Sequence, residues 1–218
     1  MATTLASSLK ARFADLQAER ERSWPPAQLA ANAAQRAKLV ARFDGKAVAQ
    51  IGDILPAVRL ADVEGGVIAL ADLVADGPAV LLFFRFATCP ACNIALHYYE
   101  EALFPALRER GIALLALSPQ RPDKLREIKV RQQLSFGVAS DLDNDLARFL
   151  GISFVPDHRP SPPPKGWIGE VTGTGTWELP QPAVAIIGPG LMLRWLHVSP
   201  DWLDRPEAGE VLAALDHL

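Results

Sequence analysis

Between residues 79 and 118 the chain switches twice from unbroken apolar runs to mixed segments. Ala79-Val80-Leu81-Leu82-Phe83-Phe84 carries no polar position, the pattern of a central strand buried on both faces. Residues 93–110 then read as a helix, with Pro105 inside it as a kink, and residues 112–117 read as a second buried strand. Around this centre the periodicity predicts a β-hairpin from 57–60 and 67–70, joined at Glu64-Gly65-Gly66. A helix over 122–133, a short strand over 136–139 and a helix over 143–150 ended by Gly151 follow. Residues 183–187 and 191–198 flank Gly188-Pro189-Gly190 as a second hairpin, and 206–218 closes the pattern as a helix. Residues 153–182 are rich in proline and glycine and read as a long non-helical loop, either functional or mobile. Trp167, Trp177 and Pro162-Pro163-Pro164 in it read either as a cover for a site or as packing of the loop.

The first fifty residues are of another kind. Leu5, Leu9, Phe13 and Leu16 recur at helical spacing until Trp24-Pro25-Pro26 interrupts them, and Pro26 is suited to start the next helix. That second helix, with Leu29, Leu39 and Phe43, stops near Gly45. Two helices flanking the main domain, or a homodimer contact, both fit. The sum is a helical extension over 1–50 and one α/β domain over 51–218, with a mixed sheet flanked by helices.

Composition narrows the function classes. The chain has 218 residues, half of them hydrophobic, and a net charge of −3. Neither nucleic acid nor an anionic membrane surface is an expected partner, and no apolar run approaches the ~20 residues of a membrane span. Residues 1–22 mix charges with apolar positions and lack the h-region of a secretory signal, so the expected compartment is the cytoplasm.

The two cysteines of the chain, Cys89 and Cys92, lie between the buried strand and the helix after it. Helix N-termini and C-x-x-C spacing lower a thiol from about 8.5 to about 7 or below. A second sulfur one turn away can capture an oxidised product. Cys89 is assigned as the attacking thiolate and Cys92 as the resolving thiol, with Pro90 in the first helical turn and Thr88 just ahead. A zinc site would need about four ligands, to be completed by His97, His158, His197 or His217. Two inert core cysteines are the other alternative. No cofactor is expected. Arg85, near the strand end, reads as a group that stabilises a thiolate or polarises a peroxide, or as a sheet-edge ion pair. Arg121, after Ser118-Pro119-Gln120, and Arg194 on the last hairpin are weaker candidates of the same kind. His97 reads as a proton carrier or a structural histidine, and Glu100 and Glu101 as a solvated helix face.

Several segments in order resemble one family. They are Gly52-Asp53-Ile54-Leu55-Pro56, Phe83-Phe84-Arg85-Phe86-Ala87-Thr88-Cys89-Pro90-Ala91-Cys92-Asn93 and Ala116-Leu117-Ser118-Pro119-Gln120. Ser140-Asp141, Leu179-Pro180-Gln181-Pro182-Ala183-Val184 and Trp195-Leu196-His197-Val198-Ser199-Pro200-Asp201 complete the set. Together they resemble the alkyl hydroperoxide reductase/thiol-specific antioxidant (AhpC/TSA) peroxiredoxins of the thioredoxin-fold superfamily. The resemblance implies a thioredoxin-like fold and thiol-dependent antioxidant reduction of hydrogen peroxide or alkyl hydroperoxides, recycled by a thioredoxin- or glutaredoxin-like reductant. Two departures stand out. The family pattern P-x-x-x-T-x-x-C has Phe86 in place of its threonine, and Pro182 stands where typical members carry an arginine. A proline there resembles thioredoxin, whose cis-proline faces its cysteine pair, so Gln181-Pro182 is the expected cis bond. Thiol–disulfide exchange on a disulfide substrate is therefore the alternative activity, and a non-enzymatic redox sensor the third.

Overall fold

The computed structural model describes residues 7–218; Leu5, expected on the first helix, lies outside them. In chain order the elements are α1 (Leu9–Ser23), α2 (Pro26–Arg42), β1 (Arg59–Asp62), β2 (Val67–Ala69), β3 (Ala79–Phe83), α3 (Pro90–Ala102) and α4 (Phe104–Glu109). Next come β4 (Ala113–Ser118), α5 (Pro122–Arg131), β5 (Gly137–Ser140), α6 (Asp145–Phe149), β6 (Ser153–Phe154) and α7 (Ile168–Thr172). The chain closes with β7 (Leu179–Pro180), β8 (Ala183–Gly188), β9 (Met192–Val198) and α8 (Ala208–Asp216).

Among the described residues seven strands form one sheet in the order β2-β1-β5-β4-β3-β8-β9. β3, β4 and β5 run parallel, and β1 and β8 join them antiparallel. Every residue of β3 is buried, and its side chains alternate between two cores as a pleated strand requires. Val80, Leu82 and Phe84 face a core built with α1, α3, α5 and α8. Ala79, Leu81 and Phe83 face a second core with α6 and the residues around Leu55 and Leu70. This double burial is why the run contains no polar position.

The predicted helix 93–110 is two helices. Pro105 has no N–H to donate back to Glu101, and the chain breaks at Leu103 before restarting as α4. The stretch 153–182 is more regular than its composition suggests. Ser153 and Phe154 pair with Pro180 and Leu179, and α7 lies between them. Trp167 and Trp177 pack ring on ring at 4.9 Å across this excursion. The Gln181–Pro182 bond is trans; among the described residues the cis peptide is Ser161–Pro162. Gln181 N–H donates to Ile152 at 2.8 Å and the Pro182 carbonyl accepts from Ser199 at 2.8 Å, pairings that hold the extended entry into β8.

α1 is part of the main core. Leu9 and Phe13 are buried with residues of α3 and α8, and Ser8 caps the helix through its side chain. The Glu207 carboxylate accepts from Leu9 N at 3.0 Å, Lys10 N at 2.9 Å and Tyr98 Oη at 2.6 Å. It thereby ties the N-terminus of α1 to α3 and to its own helix α8. α2 buries no residue fully and is held at its edges. Arg36 makes a bidentate pair with Asp201, both contacts 2.7 Å, and Lys38 and Arg42 both pair with Asp157.

The docking of α1 has two measurable consequences. Leu9→Ala removes a fully buried side chain and is expected to cost about 2–5 kcal/mol in denaturant unfolding; a loss near zero would show α1 to be undocked in solution. Partial burial pushes Glu207 up, but bonds from Tyr98 and the Lys10 and Leu9 amides outweigh it and hold the carboxyl below its usual value. Its contribution is therefore complete above about pH 4.3 and fades as pH falls through the lower folded value. Glu207→Gln is expected to flatten that part of the stability–pH curve, and an unchanged slope in acid melts would refute the assignment.

Candidate active site

The segment from Phe84 to Cys89 leaves the C-terminal end of β3 and is pinned on several sides. Ala87 N–H donates to Gln120 Oε1 at 2.7 Å, and the Ala87 carbonyl accepts from Asn93 Nδ2 at 2.8 Å and Arg131 Nη2 at 2.5 Å. Asn93 Nδ2 also bonds the Cys89 carbonyl at 2.8 Å, while Arg131 and Gln132 each donate to Asn93 Oδ1 at 2.9 Å. Ser118 Oγ donates to the Arg85 carbonyl at 2.9 Å. Cys89 is then the N-cap of α3 with Pro90 in its first turn, a position where a missing N–H is harmless.

Both cysteines are free thiols. Cys89 is 7% exposed and Cys92 is fully buried, the order expected from their places on the helix. Thr88 and Pro90 are exposed on the loop beside them. The two sulfurs share a hydrogen bond and titrate as a pair. That bond to Cys92, together with burial, pushes the Cys89 thiol well up. Burial also opposes ionisation of Cys92, but the bond from Cys89, the charge of Arg205 and the Arg85 backbone outweigh it and hold Cys92 well below the usual thiol value. The sequence reading puts the reactive thiolate at Cys89; the surroundings of the pair favour ionisation of Cys92.

Three arginines surround the pair. Arg85 is buried, and its Nε and Nη2 have no hydrogen-bond partner. Its guanidinium is sandwiched over Trp202 at 4.1 Å and Phe154 at 5.1 Å. Burial lowers its pKa, and the charges of Cys89 and Cys92 work against that fall. Arg205 donates from Nη2 to Cys92 Sγ at 3.6 Å and from Nε to the Trp202 carbonyl at 3.1 Å. Arg20 of α1 is buried over Trp24 at 4.8 Å; burial lowers its pKa, and the charge of Cys89 opposes that fall. Pro182 is buried in the same neighbourhood, with Leu96, Tyr99 and Arg205. Beside Arg85 and Phe86 lies a cavity of about 550 Å³, walled by Phe154, Trp177 and Leu179 and roofed by Ala34 of α2.

The structure thus gathers Cys89, Cys92 and Arg85, and it puts Pro182 in a small cavity that Arg205 also lines. It separates Arg121, which pairs with Asp123 at 3.3 Å and lines a different surface cleft with Asn144 and Thr174. Arg194 lies on β9 against Met192. His97 pairs with Glu101 at 3.2 Å, and Glu101 also holds Arg12 of α1. Among the described residues no group of three or more His, Cys, Asp or Glu is placed to hold a metal ion, and no helix is long and apolar enough to cross a membrane. Sequence reading missed Arg20, Arg205 and Trp202, which carry no local motif. Gln120 and Asn93 sit inside recognisable segments, but their bonds to the cysteine loop come from tertiary contact.

Peroxiredoxin Bcp of Escherichia coli (strain K12) is 28% identical over 102 residues, covering 46% of this chain and 64% of that protein. Thiol-disulfide oxidoreductase ResA of Bacillus thuringiensis (strain Al Hakam) is 32% identical over 115 residues, covering 52% and 65%. The chain therefore spans less than two thirds of the length of either relative. Peroxidoxin BcpB of Mycobacterium tuberculosis superposes with a TM-score of 0.60 at 18% identity, over 78% of this chain and 97% of that one. A cysteine-to-serine mutant of peroxiredoxin 6 from Arenicola marina gives 0.61 at 22% identity, over 77% and 72%. At such identities the likeness concerns the fold, which is thioredoxin-like and of the peroxiredoxin type. The family description that matches residues 51–196, from the turn before the first hairpin into the last strand, is AhpC/TSA, and the chain belongs to that family.

Proposed function

We propose that this protein is a thiol peroxidase in which Cys89 attacks the peroxide and Cys92 resolves the product. The observation that carries the reading is Arg85: a buried guanidinium beside both sulfurs, with two nitrogens lacking any protein acceptor. A buried unpaired donor is costly, by about 1–3 kcal/mol and more when charged. An incoming peroxide oxygen supplies the missing acceptor, most strongly when negative charge develops on the leaving oxygen. In the reaction the Cys89 sulfur bonds the distal oxygen, the O–O bond breaks, and a sulfenic acid remains on Cys89 while alcohol or water departs. Cys92 then displaces the sulfenic oxygen as water and a disulfide forms. A thioredoxin- or glutaredoxin-like dithiol returns the pair to its starting state.

Hydrogen peroxide and alkyl hydroperoxides are the substrate classes, and the cavity beside Arg85 is the route of entry on this reading. On this reading residues 51–218 are the catalytic domain and residues 1–50 an extension, of which α1 completes the core and α2 roofs the cavity. The face of the extension is also the place for a homodimer contact. The cytoplasm is the compartment, because nothing in the reading requires an oxidising one. Disulfide exchange remains the second reading because one relative is named a thiol-disulfide oxidoreductase. It loses support from the trans Gln181–Pro182 bond and from the burial of both sulfurs, which leaves little surface for a protein disulfide to reach.

Mixing reduced protein with a small excess of hydrogen peroxide or cumene hydroperoxide is expected to consume both thiols rapidly. Cys89→Ser abolishes the reaction, and Cys92→Ser stops at a sulfenic acid that dimedone traps. Oxidation no faster than that of a free low-pKa thiol, alongside rapid reduction of a model disulfide, would transfer the conclusion to disulfide exchange. Arg85→Met is expected to slow the peroxide step by about 10²–10³ while leaving both cysteines alkylatable in denaturant; a rate within a factor of two of the parent would remove Arg85 from the mechanism.

A further inference from the structure

Cys92 has surroundings that the C-x-x-C motif does not supply. Its Sγ, fully buried in the first turn of α3, accepts a hydrogen bond from Arg205 Nη2 at 3.6 Å. Arg205 comes from the segment between β9 and α8, well outside the motif. Its Nε is fixed on the Trp202 carbonyl at 3.1 Å, and its guanidinium lies over the Phe13 ring of α1 at 5.6 Å. On the other side Cys92 shares a hydrogen bond with Cys89. The charged groups facing the pair are Arg85 from the end of β3, Arg20 from α1 and Arg205. Tyr99 of α3 lies beside Arg205, and burial keeps its phenol neutral. A buried sulfur that receives a bond from an oriented cation is an acceptor, and charge-assisted bonds of this kind favour the anion.

We propose that Arg205 holds Cys92 as the anionic member of the pair, and that Cys92 takes the proton of Cys89 as Cys89 attacks. The proposal rests on the peroxidase reading and gives it a base and a cation. As the Cys89 sulfur bonds the distal peroxide oxygen, its S–H proton crosses to the Cys92 sulfur. The O–O bond breaks, and its electron pair leaves on the proximal oxygen. Cys92 then passes the proton to that alkoxide, so that alcohol departs and Cys92 is again a thiolate. The thiolate attacks the Cys89 sulfenic sulfur and forms the disulfide. Hydroxide leaves and takes a proton from solvent. Two sulfurs are oxidised, one peroxide is reduced, and the second cysteine acts twice, first as base and then as nucleophile. Arg205 thus supplies a cation that the family pattern places at the position Pro182 occupies here.

The test separates the cation from the chemistry. In the full-length Cys89→Ser variant, ultraviolet thiolate absorbance and iodoacetamide alkylation of Cys92 are followed against pH, with and without Arg205→Gln. Cys92 is expected to ionise below the ordinary thiol range of about 8.5, and to move upward when Arg205 is removed. Alkylation at a fixed pH below both values then falls about tenfold for each unit of that shift. Arg205→Lys, which keeps the charge, recovers most of the effect and serves as the second variant should Arg205→Gln melt early. In peroxide stopped flow, Cys92→Ser is expected to slow sulfenic acid formation about a hundredfold at neutral pH. Its rate then climbs about tenfold per pH unit until Cys89 ionises by itself. An identical Cys92 titration with and without Arg205 would overturn the cation role. A Cys92→Ser rate equal to the parent's would overturn the base role. Slow peroxide oxidation of the unaltered protein together with an Arg205-dependent titration would defeat the peroxidase reading and support the Arg205–Cys92 pairing.

Discussion

Everything at the candidate site depends on placing guanidinium groups next to two thiols where almost no water reaches. Arg20 and Arg85 are buried and are stabilised chiefly by aromatic faces, Trp24 for one and Trp202 with Phe154 for the other. Aromatic stacking partly offsets the lost hydration of a cation, yet it leaves the in-plane N–H groups without acceptors. The nearby sulfurs are the groups able to answer that charge. Desolvation alone would raise both thiols and lower the arginines; the charges on each side counter this on the other, so the site is stable as a unit and unbalanced when a member is removed.

The sheet provides the rigidity that such a balance needs. β3 is buried on both faces and hydrogen-bonded to strands on both edges, so the loop at its end starts from a fixed point. Gln120 from beyond β4 and Arg131 from α5 then bond the same loop at Ala87. A shift of β4 or α5 would therefore be felt at Cys89. This part of the structure lies within the residues that match the AhpC/TSA family.

The N-terminal helices act differently. α1 is held by apolar burial at Leu9 and Phe13 and by the Glu207 carboxylate. It contributes Arg20 and the ring beneath Arg205. α2 buries little and is tied down by ion pairs to Asp201 and Asp157, which weaken with ionic strength. One helix completes the walls of the thiol pocket, and the other roofs the neighbouring cavity with far weaker attachments.

The local signals in the chain were strong enough to determine the α/β class, the buried strands that became β3 and β4, the closing hairpin and the position of the cysteine pair at a helix start. Each of these rests on neighbours within one or two turns: apolar runs, glycine and proline turns, and C-x-x-C spacing. Short-range reasoning joined residues 93–110 into one helix with a kink at Pro105, where the missing N–H in fact ends one helix and starts another, and it gave 153–182 no structure because the β6–β7 pairing joins residues far apart in the chain. It also expected a cis bond at Pro182, where pairing with Ile152 and Ser199 holds a trans one. The electrostatics of the site were decided wholly by tertiary structure. Arg20 stands 69 positions before Cys89 and Arg205 stands 113 after Cys92, so no periodicity links them. The fold carries Arg121 to another cleft and brings these two to the sulfurs. Charge acts through space and burial rather than along the chain, and for that reason the charged surroundings of the two thiols were not legible until the chain was folded.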